Sequence, residues 1–330
     1  MSVKIGKENI KWDCRKCERH VHMGGSISPA TIWKIIQRSG QCSLAGSEAE
    51  LQKMMVCQKD DEKSFQAFLR KFNILDKVEW DAWAIDTACR QICEDTKLQG
   101  TAAMDISFSV EKYVRSGLWS HRGAVSFIVD AFKRHSAEFG IEVGPFLSIS
   151  YHAPVSTQIA VAELINEPTI ADAVIGLDLV GDESYYDSDF YGKIIEKWNK
   201  AGKITREHLA EMPGTSSNLH SVLTRPESQR PKRIAHGIQG LWEDLRRAAD
   251  AGIYFDLAIH SNLRTGAILD ILYHPLPKML KAGCLVTLNT DDPVQFGCTL
   301  DDEYGLAIRA GLISHHEAKG IQENAVASLR

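Results

Sequence analysis

The sequence of 330 residues predicts one (β/α)8 TIM barrel, an α/β fold, on three observations. Short apolar, β-branched runs recur along the chain, and a longer stretch with helical spacing of apolar residues follows each. The runs number eight, which favours a closed parallel barrel over an open doubly wound sheet, and the length suits a single barrel. The predicted strands are 17–23, 102–109, 143–150, 174–180, 203–208, 233–238, 253–259 and 284–289.

The first two predicted strands are separated by about eighty residues, far more than one crossover needs. This segment is rich in Gln, Lys and Glu, and its aromatic residues Phe65, Phe68 and Phe72 have helical spacing. We therefore predict one domain, 1–330, in which about 27–100 forms a helical cap inserted after strand 1, over the barrel mouth.

Composition limits the function classes. The chain is 44% hydrophobic and 25% charged, which is typical of globular proteins, and its net charge of −5 gives no general attraction to nucleic acid. No signal-peptide pattern opens the sequence, and no apolar run reaches the ~18 residues of a membrane span. The eight cysteines indicate reduced thiols, and the Cys14/Cys17 pair lacks a second pair that would complete a zinc site. We expect a cytoplasmic protein with no nucleic-acid or membrane partner.

Metal-binding residue types stand where the predicted strands end, which is where barrel enzymes place their active sites. His20 and His22 end strand 1 and, separated by one residue, point to the same face. His208 ends strand 5, and Asp291 follows strand 8. Three imidazoles and one carboxylate suit a zinc ion that keeps one position open for water. Three further titratable residues lie near them as acid–base candidates: Glu211, His236 and Asp292.

Each of these residues also has an ordinary structural explanation. A lone His20 or His236 is more often a hydrogen-bonded interior histidine than a metal ligand. Asp291 and Asp292, which precede a proline, could form a turn or cap a helix. The metal-site hypothesis depends on all of them falling at the carboxyl ends of different strands in one periodic pattern.

The chain resembles the adenosine deaminase family in six segments that occur in family order. They are K-C-E-R-H-V-H-M-G-G-S at 16–26, G-L-D-L-V-G-D-E at 176–183, H-L-A-E at 208–211, R-I-A-H-G at 233–237, S-N-L-R-T-G-A at 261–267 and L-N-T-D-D-P at 288–293. The segments span nearly the whole chain, and T-D-D-P together with H-x-H and the fourth-strand G-D-E is a specific combination.

This resemblance implies a zinc-dependent hydrolytic deaminase, a hydrolase acting on C–N bonds of cyclic amidines. The enzyme would convert a 6-aminopurine, adenosine or a 5′-modified adenosine derivative, to the 6-oxopurine and release ammonia. One Zn²⁺ per chain would be held by His20, His22, His208 and Asp291. The other implied roles are water orientation and deprotonation by Asp292 and His236, proton donation to purine N1 by a protonated Glu211, and a backbone N–H from Gly181 to purine N3.

The departures from the family pattern concern the substrate. Gly24 stands where the family has an aspartate expected to bind the ribose 5′-hydroxyl, so the 5′ end of the substrate is expected to be modified, bulky, phosphorylated or missing. His260 replaces a proline and is equally well a substrate contact or an ordinary histidine. Strand alternation places Arg206 on the same inward face as His208. A buried cation there needs a partner, such as an acidic group of the substrate; otherwise the predicted strand register is wrong. The predicted substrate-binding residues are Gly181, His22, Gly24, Asp292 and His260, with Arg206, His260 and Arg264 as basic candidates for the 5′ side.

Three alternatives stay open. The chain could be another mononuclear amidohydrolase-type hydrolase that cleaves an amide, lactone or phosphoester. Many barrel hydrolases of this kind bridge two metals with a lysine from strand 4, and the absence of a lysine from 174–180 argues against that class. It could act on adenine or on an N6-substituted AMP. It could be a catalytically inactive binding homologue, although every predicted ligand and Glu211 are present. The expected partner in each case is a small purine nucleoside-like molecule, and the oligomeric state is left open.

Overall fold

Eight parallel strands form one sheet in chain order, each paired with the next. The computed structural model describes residues 10, 12 and 14–328. The strands are β1 (Cys17–His22), β2 (Ala103–Phe108), β3 (Glu142–Ser150), β4 (Gly176–Val180), β5 (Ile204–Leu209), β6 (Arg233–His236), β7 (Tyr254–Leu257) and β8 (Leu285–Leu288).

The sheet nearly closes between β8 and β1. The His22 N–H donates to the Asp291 carbonyl at 2.8 Å, and the Asp291 N–H donates to the His20 carbonyl at 3.1 Å. The predicted (β/α)8 TIM barrel is therefore confirmed. No predicted strand end lies more than two residues from the observed one, because strands covered on both faces form continuous apolar runs with sharp ends.

Helices connect the strands and cover the outside of the barrel. They are α1 (Met23–Ser26), α2 (Pro29–Arg38), α3 (Glu48–Met55), α4 (Phe65–Leu69), α5 (Ala82–Leu98), α6 (Glu111–Arg115), α7 (His121–Phe139), α8 (Val155–Ala162), α9 (Pro168–Ala173), α10 (Ser188–Lys200), α11 (Ser216–Thr224), α12 (Trp242–Asp250), α13 (Ile259–Arg264), α14 (Leu276–Lys281), α15 (Pro293–Phe296), α16 (Leu300–Arg309) and α17 (His315–Ala327). Local sequence sets their ends: the Ser120 hydroxyl caps α7 by accepting from the Gly123 N–H, and Gly140 ends it at φ 64°. Within the described part of the chain, no helix has the length and apolarity to cross a membrane.

Five of these helices, α1 to α5, lie between β1 and β2. Helix α5 packs on α7, so it lies in the ring of helices around the barrel. The aromatic residues Phe65, Phe68 and Phe72 face the cavity at the barrel mouth, which is the position that we expected for a cap. The division of the chain into a barrel and a cap stays a prediction.

Three buried Arg–Asp pairs fill part of the barrel interior. Arg206 on β5 is fully buried, and its Nε lies 2.9 Å from Asp178 Oδ1 on the neighbouring strand β4. The other pairs are Arg19 with Asp105 and Arg233 with Asp256, at 2.8 Å each. The inward orientation predicted for Arg206 is thus correct, and its partner is a carboxylate of the protein. Because a buried charge needs such a partner, these pairs stabilise the floor beneath the active site.

We expect Arg206→Met to lower the free energy of unfolding by about 3–5 kcal/mol, because it leaves the Asp178 carboxylate buried without its partner. Urea denaturation of the purified variant measures this loss. Arg38→Met is the matched control, since Arg38 pairs with Asp81 at 2.8 Å but both side chains are nearly half exposed; its cost should stay below about 1 kcal/mol. Equal losses in the two variants would contradict a structural role for the Arg206 pair.

Candidate active site

The four predicted metal ligands meet at the carboxyl end of the barrel. His20 Nε2 lies 2.9 Å from His22 Nε2, and Asp291 Oδ1 lies 3.2 Å and 3.0 Å from these two nitrogens. The ring of His208 lies 4.8 Å from that of His20, centroid to centroid. Asp178, which was not among the predicted site residues, approaches His208 Nε2 to 3.5 Å through its Oδ1. The structure thus brings residues from β1, β5 and the loop after β8 to one point.

This donor set fits a zinc ion. His208 Nε2 is buried and has no hydrogen-bond partner among the described residues. Burial and the charge of Arg206 lower the pKa of His20 to about 4, which keeps its ring neutral and its lone pair available. Imidazole nitrogens that converge with a carboxylate oxygen are the ligands zinc prefers, and a three-His, one-Asp set leaves room for a water.

Strained backbone is concentrated at the same place. In the described residues, three non-glycine residues have positive φ: Ala210 at 49°, His236 at 64° and Asp291 at 64°. They lie at or just after the ends of β5, β6 and β8. L-residues rarely adopt this conformation, and such strain is typical of active sites. Ala210 adopts this conformation at a position where the family that the sequence resembles has glycine, so this departure from the family pattern coincides with strained backbone.

Glu211 is held from behind by Glu183. The carboxylate of Glu183 accepts from the backbone N–H groups of Ala210 at 2.7 Å, Glu211 at 2.8 Å and Met212 at 3.0 Å. These bonds fix the strained turn that carries Glu211. Burial and the neighbouring carboxylates of Asp291 and Glu183 raise the pKa of Glu211 well above its usual range, which favours the protonated form. Glu183 ends the segment 176–183 that resembles the family, but no role was predicted for it.

A hydrogen-bonded chain orients His236. Asn262 Nδ2 lies 3.2 Å from His236 Nδ1, and Asn262 Oδ1 lies 3.2 Å from His274 Nε2. The other ring nitrogen of His236 then faces Glu211 Oε2 at 3.6 Å. Burial lowers the pKa of His236 well below its usual range, so this ring is neutral. Asn262 lies in the segment 261–267 that resembles the family, but only the structure connects it and His274 to His236.

Asp292 lies beside the predicted ligands, against Gly25. A Cβ built on Gly25 would lie 1.8 Å from Asp292 Oδ1, so only glycine admits this carboxylate. Asp292 Oδ1 is buried and has no hydrogen-bond partner among the described residues. Burial and the charge of Asp291 raise the pKa of Asp292 well above its usual range. The arrangement leaves this oxygen available to a water or a ligand.

A cavity of about 680 Å³ opens above these groups, within the usual range for small-molecule sites. Four of the five predicted substrate-binding residues line it: His22, Gly24, Gly181 and Asp292. His208, Glu211, His236 and Asp291 form its floor together with them. Apolar side chains make up much of the wall: Met23, Phe65, Phe68, Leu69, Phe72, Leu75, Val114 and Val180.

The structure does not bring the basic candidates for the 5′ side to this cavity. His260, the fifth predicted substrate contact, donates its backbone N–H to Glu303 and places its ring Nδ1 2.8 Å from the same carboxylate, away from the lining residues. Arg206 is occupied by Asp178, and Arg264 lies at a smaller depression beside Cys57. Helix α13 begins at Ile259 and turns both of its basic residues outward from the site, which strand alternation could not predict.

Comparisons with known proteins agree with this geometry. The family model described as adenosine deaminase matches residues 15–329. An aminodeoxyfutalosine deaminase of Acidothermus cellulolyticus is 30% identical over 314 residues, which cover 90% of this chain and 83% of the relative. An adenosine deaminase of Edwardsiella ictaluri is 27% identical over 316 residues, which cover 92% of this chain and 90% of the relative.

Among solved structures, a COG1816 amidohydrolase from Burkholderia ambifaria with bound Zn superposes with a TM-score of 0.83. The match covers 95% of this chain and 85% of the other, at 20% sequence identity. At that identity the likeness concerns the fold.

Proposed function

Since the chain belongs to the adenosine deaminase family and is a purine deaminase, a hydrolase of C–N bonds, we propose that it acts on adenosine or on a 5′-modified adenosine derivative with one zinc ion. The observation that carries this proposal is the convergence of His20, His22, His208 and Asp291 beneath a cavity whose floor also holds Glu211.

The four converging side chains would hold the metal, which when bound acidifies a water at neutral pH and so provides the nucleophile. Asp292 and His236 flank that position. The positive charge of the bound metal would offset that of Asp291 and favour the ionised form of Asp292. The free Oδ1 of Asp292 would then accept the proton of the attacking water, and the His236 ring, fixed by Asn262, would orient that water. Attack at purine C6 then gives a tetrahedral carbon. The proton that Asp292 has accepted passes to the amino nitrogen, and the C6–N bond breaks to release ammonia.

Glu211 would donate a proton to purine N1 while water attacks C6. This donation removes the ring's aromaticity, so C6 becomes electrophilic. Its raised pKa supports this role, because only the protonated acid can donate. Gly181 would offer its N–H to purine N3: its φ is 99°, and a Cβ there would lie 3.1 Å from Ser150 Oγ, so a side chain would be strained and crowded.

The 5′ side supports a modified substrate. Gly24 lines the cavity, and a Cβ built on it would lie 3.1 Å from Phe72 Cε1 and 3.7 Å from Leu75 Cδ1. Apolar atoms therefore stand where a carboxylate would otherwise bind a ribose hydroxyl. A buried hydroxyl without a partner costs about 1–3 kcal/mol, so this wall favours substrates in which the hydroxyl is replaced.

The wild type is expected to deaminate 5′-substituted adenosines at least as efficiently as adenosine, measured as kcat/KM from the absorbance change of 6-aminopurine to 6-oxopurine. Gly24→Asp should shift the preference toward adenosine about tenfold or more, since it restores an acceptor for the hydroxyl. Gly24→Ala is the matched control: it crowds Phe72 in the same way but adds no carboxylate, so it should not shift the preference. A wild type that prefers adenosine a thousandfold would mean that another residue binds the 5′-hydroxyl.

A further inference from the structure

One wall of the cavity carries four charged side chains away from the predicted metal ligands. They are Asp76, Glu111, Lys112 and Arg115. This wall is continuous with the Gly24 side of the cavity, because Leu75, which would touch a Cβ on Gly24, directly precedes Asp76. It therefore lies where the ribose side of a bound nucleoside is expected.

Three of the four charges have partners within the protein. Arg115 Nη2 donates to Asp76 Oδ1 at 2.6 Å. Glu111 accepts from the Ser109 hydroxyl through Oε2, and its Oε1 is buried. Lys112 is different: among the described residues its ammonium has no hydrogen bond and no ion pair.

The Lys112 ammonium lies over two aromatic rings. Its Nζ lies 5.2 Å from the ring centroid of the buried Trp80 and 5.1 Å from that of Tyr113. Burial lowers the pKa of Lys112 to about 8, against the opposing charges of Asp76 and Glu111. An ammonium with three unused donors in a cavity wall gains most from an anion, which forms charge-assisted hydrogen bonds with it.

We propose that Lys112 binds an anionic group, a phosphate or a carboxylate, carried on the ribose side of the substrate. The proposal rests on the proposed function for the orientation of the purine. Phe72 and Leu75 line the same cavity as Lys112 and lie beside Gly24, so the neutral part of the substituent would lie on apolar atoms while its charge reaches the lysine. Lys112 is a specificity residue in this arrangement, remote from the reacting atoms.

Equilibrium binding of IMP and inosine to the full-length, metal-loaded protein tests the site without turnover. The wild type should bind IMP about tenfold to a hundredfold more tightly than inosine. Added salt should weaken the binding of IMP but not the binding of inosine. Lys112→Met should remove this difference, whereas Lys112→Arg should keep most of it. In kinetics, Lys112→Met should raise KM for AMP and adenosine-5′-carboxylate but leave kcat, and it should leave adenosine unchanged.

Lys34→Met is the matched control, because Lys34 also lies over a tryptophan, 5.5 Å from the Trp83 ring, but is exposed and outside the cavity. It should change neither ligand's affinity. The proposal is overturned if IMP binds no more tightly than inosine, if Lys112→Met weakens both equally, or if neutral 5′-methylthioadenosine is the preferred substrate. Selective IMP binding through Lys112 without deamination of any 6-aminopurine would leave the anion site standing and reject the proposed function.

Discussion

Glu211→Gln is expected to lower kcat by about a hundredfold to ten-thousandfold while the protein keeps its metal. Glutamine has nearly the same shape and can still donate a hydrogen bond, but it cannot transfer a proton to purine N1. The backbone of residue 211 is fixed by Glu183, at 2.8 Å, so the substitution should not move the turn. Steady-state kinetics on the best substrate, with zinc content measured on the same sample, separates loss of proton transfer from loss of the metal.

Glu243→Gln serves as the control, since Glu243 is exposed on α12 and remote from the cavity; its kcat should equal that of the wild type. A near-normal kcat in Glu211→Gln would assign proton donation to another group. A variant that has lost both metal and turnover would show that Glu211 holds the site together instead.

The barrel and the predicted metal ligands could be inferred from the sequence for a physical reason. Parallel strands are buried on both faces, so they stand out as apolar runs, and their carboxyl ends must meet at one mouth. His20, His22, His208 and Asp291 each follow or end such a run, which is why the sequence could group residues from three distant segments at one site.

The contacts of the residues around the predicted ligands could not be predicted from the sequence, because they depend on strand pairing and on where turns and helices begin. Strand alternation placed Arg206 inside, but only the register between β4 and β5 sets it opposite Asp178. His260 follows a predicted strand and was a candidate substrate contact. Helix α13 begins one residue earlier, at Ile259, and directs the His260 ring to Glu303. Lys112 lies in a short helix after β2 that belongs to none of the recognised segments, so no sequence pattern singled it out.

The segments that resemble the family identify individual residues but not the contacts that these residues make. Glu183 and Asn262 could be quoted from them, but a carboxylate that accepts three backbone N–H groups and an amide that links two histidines are visible only in three dimensions. These contacts explain how the strained backbone at Ala210 and His236 is maintained, since strain persists only where surrounding bonds over-determine it.

Removal of the metal is expected to abolish turnover. Dialysis against a chelator should lower kcat by about a thousandfold or more, because Lewis-acid activation of water contributes several kcal/mol to the barrier. About one equivalent of Zn²⁺ per chain should restore the activity, since the converging side chains provide one set of four ligands. The thermal midpoint should fall on chelation as well, because a metal that binds only the folded state stabilises it.

His208→Ala should reproduce the chelated state, with little bound zinc and no turnover, because His208 is the proposed ligand from β5. His316→Ala, an exposed histidine at the start of α17, should keep both metal and activity. Elemental analysis and kcat measured together decide the matter. Two metals per chain, or full zinc content in His208→Ala, would contradict the mononuclear site, and the ligand set would then have to include Asp178, which already approaches His208 to 3.5 Å.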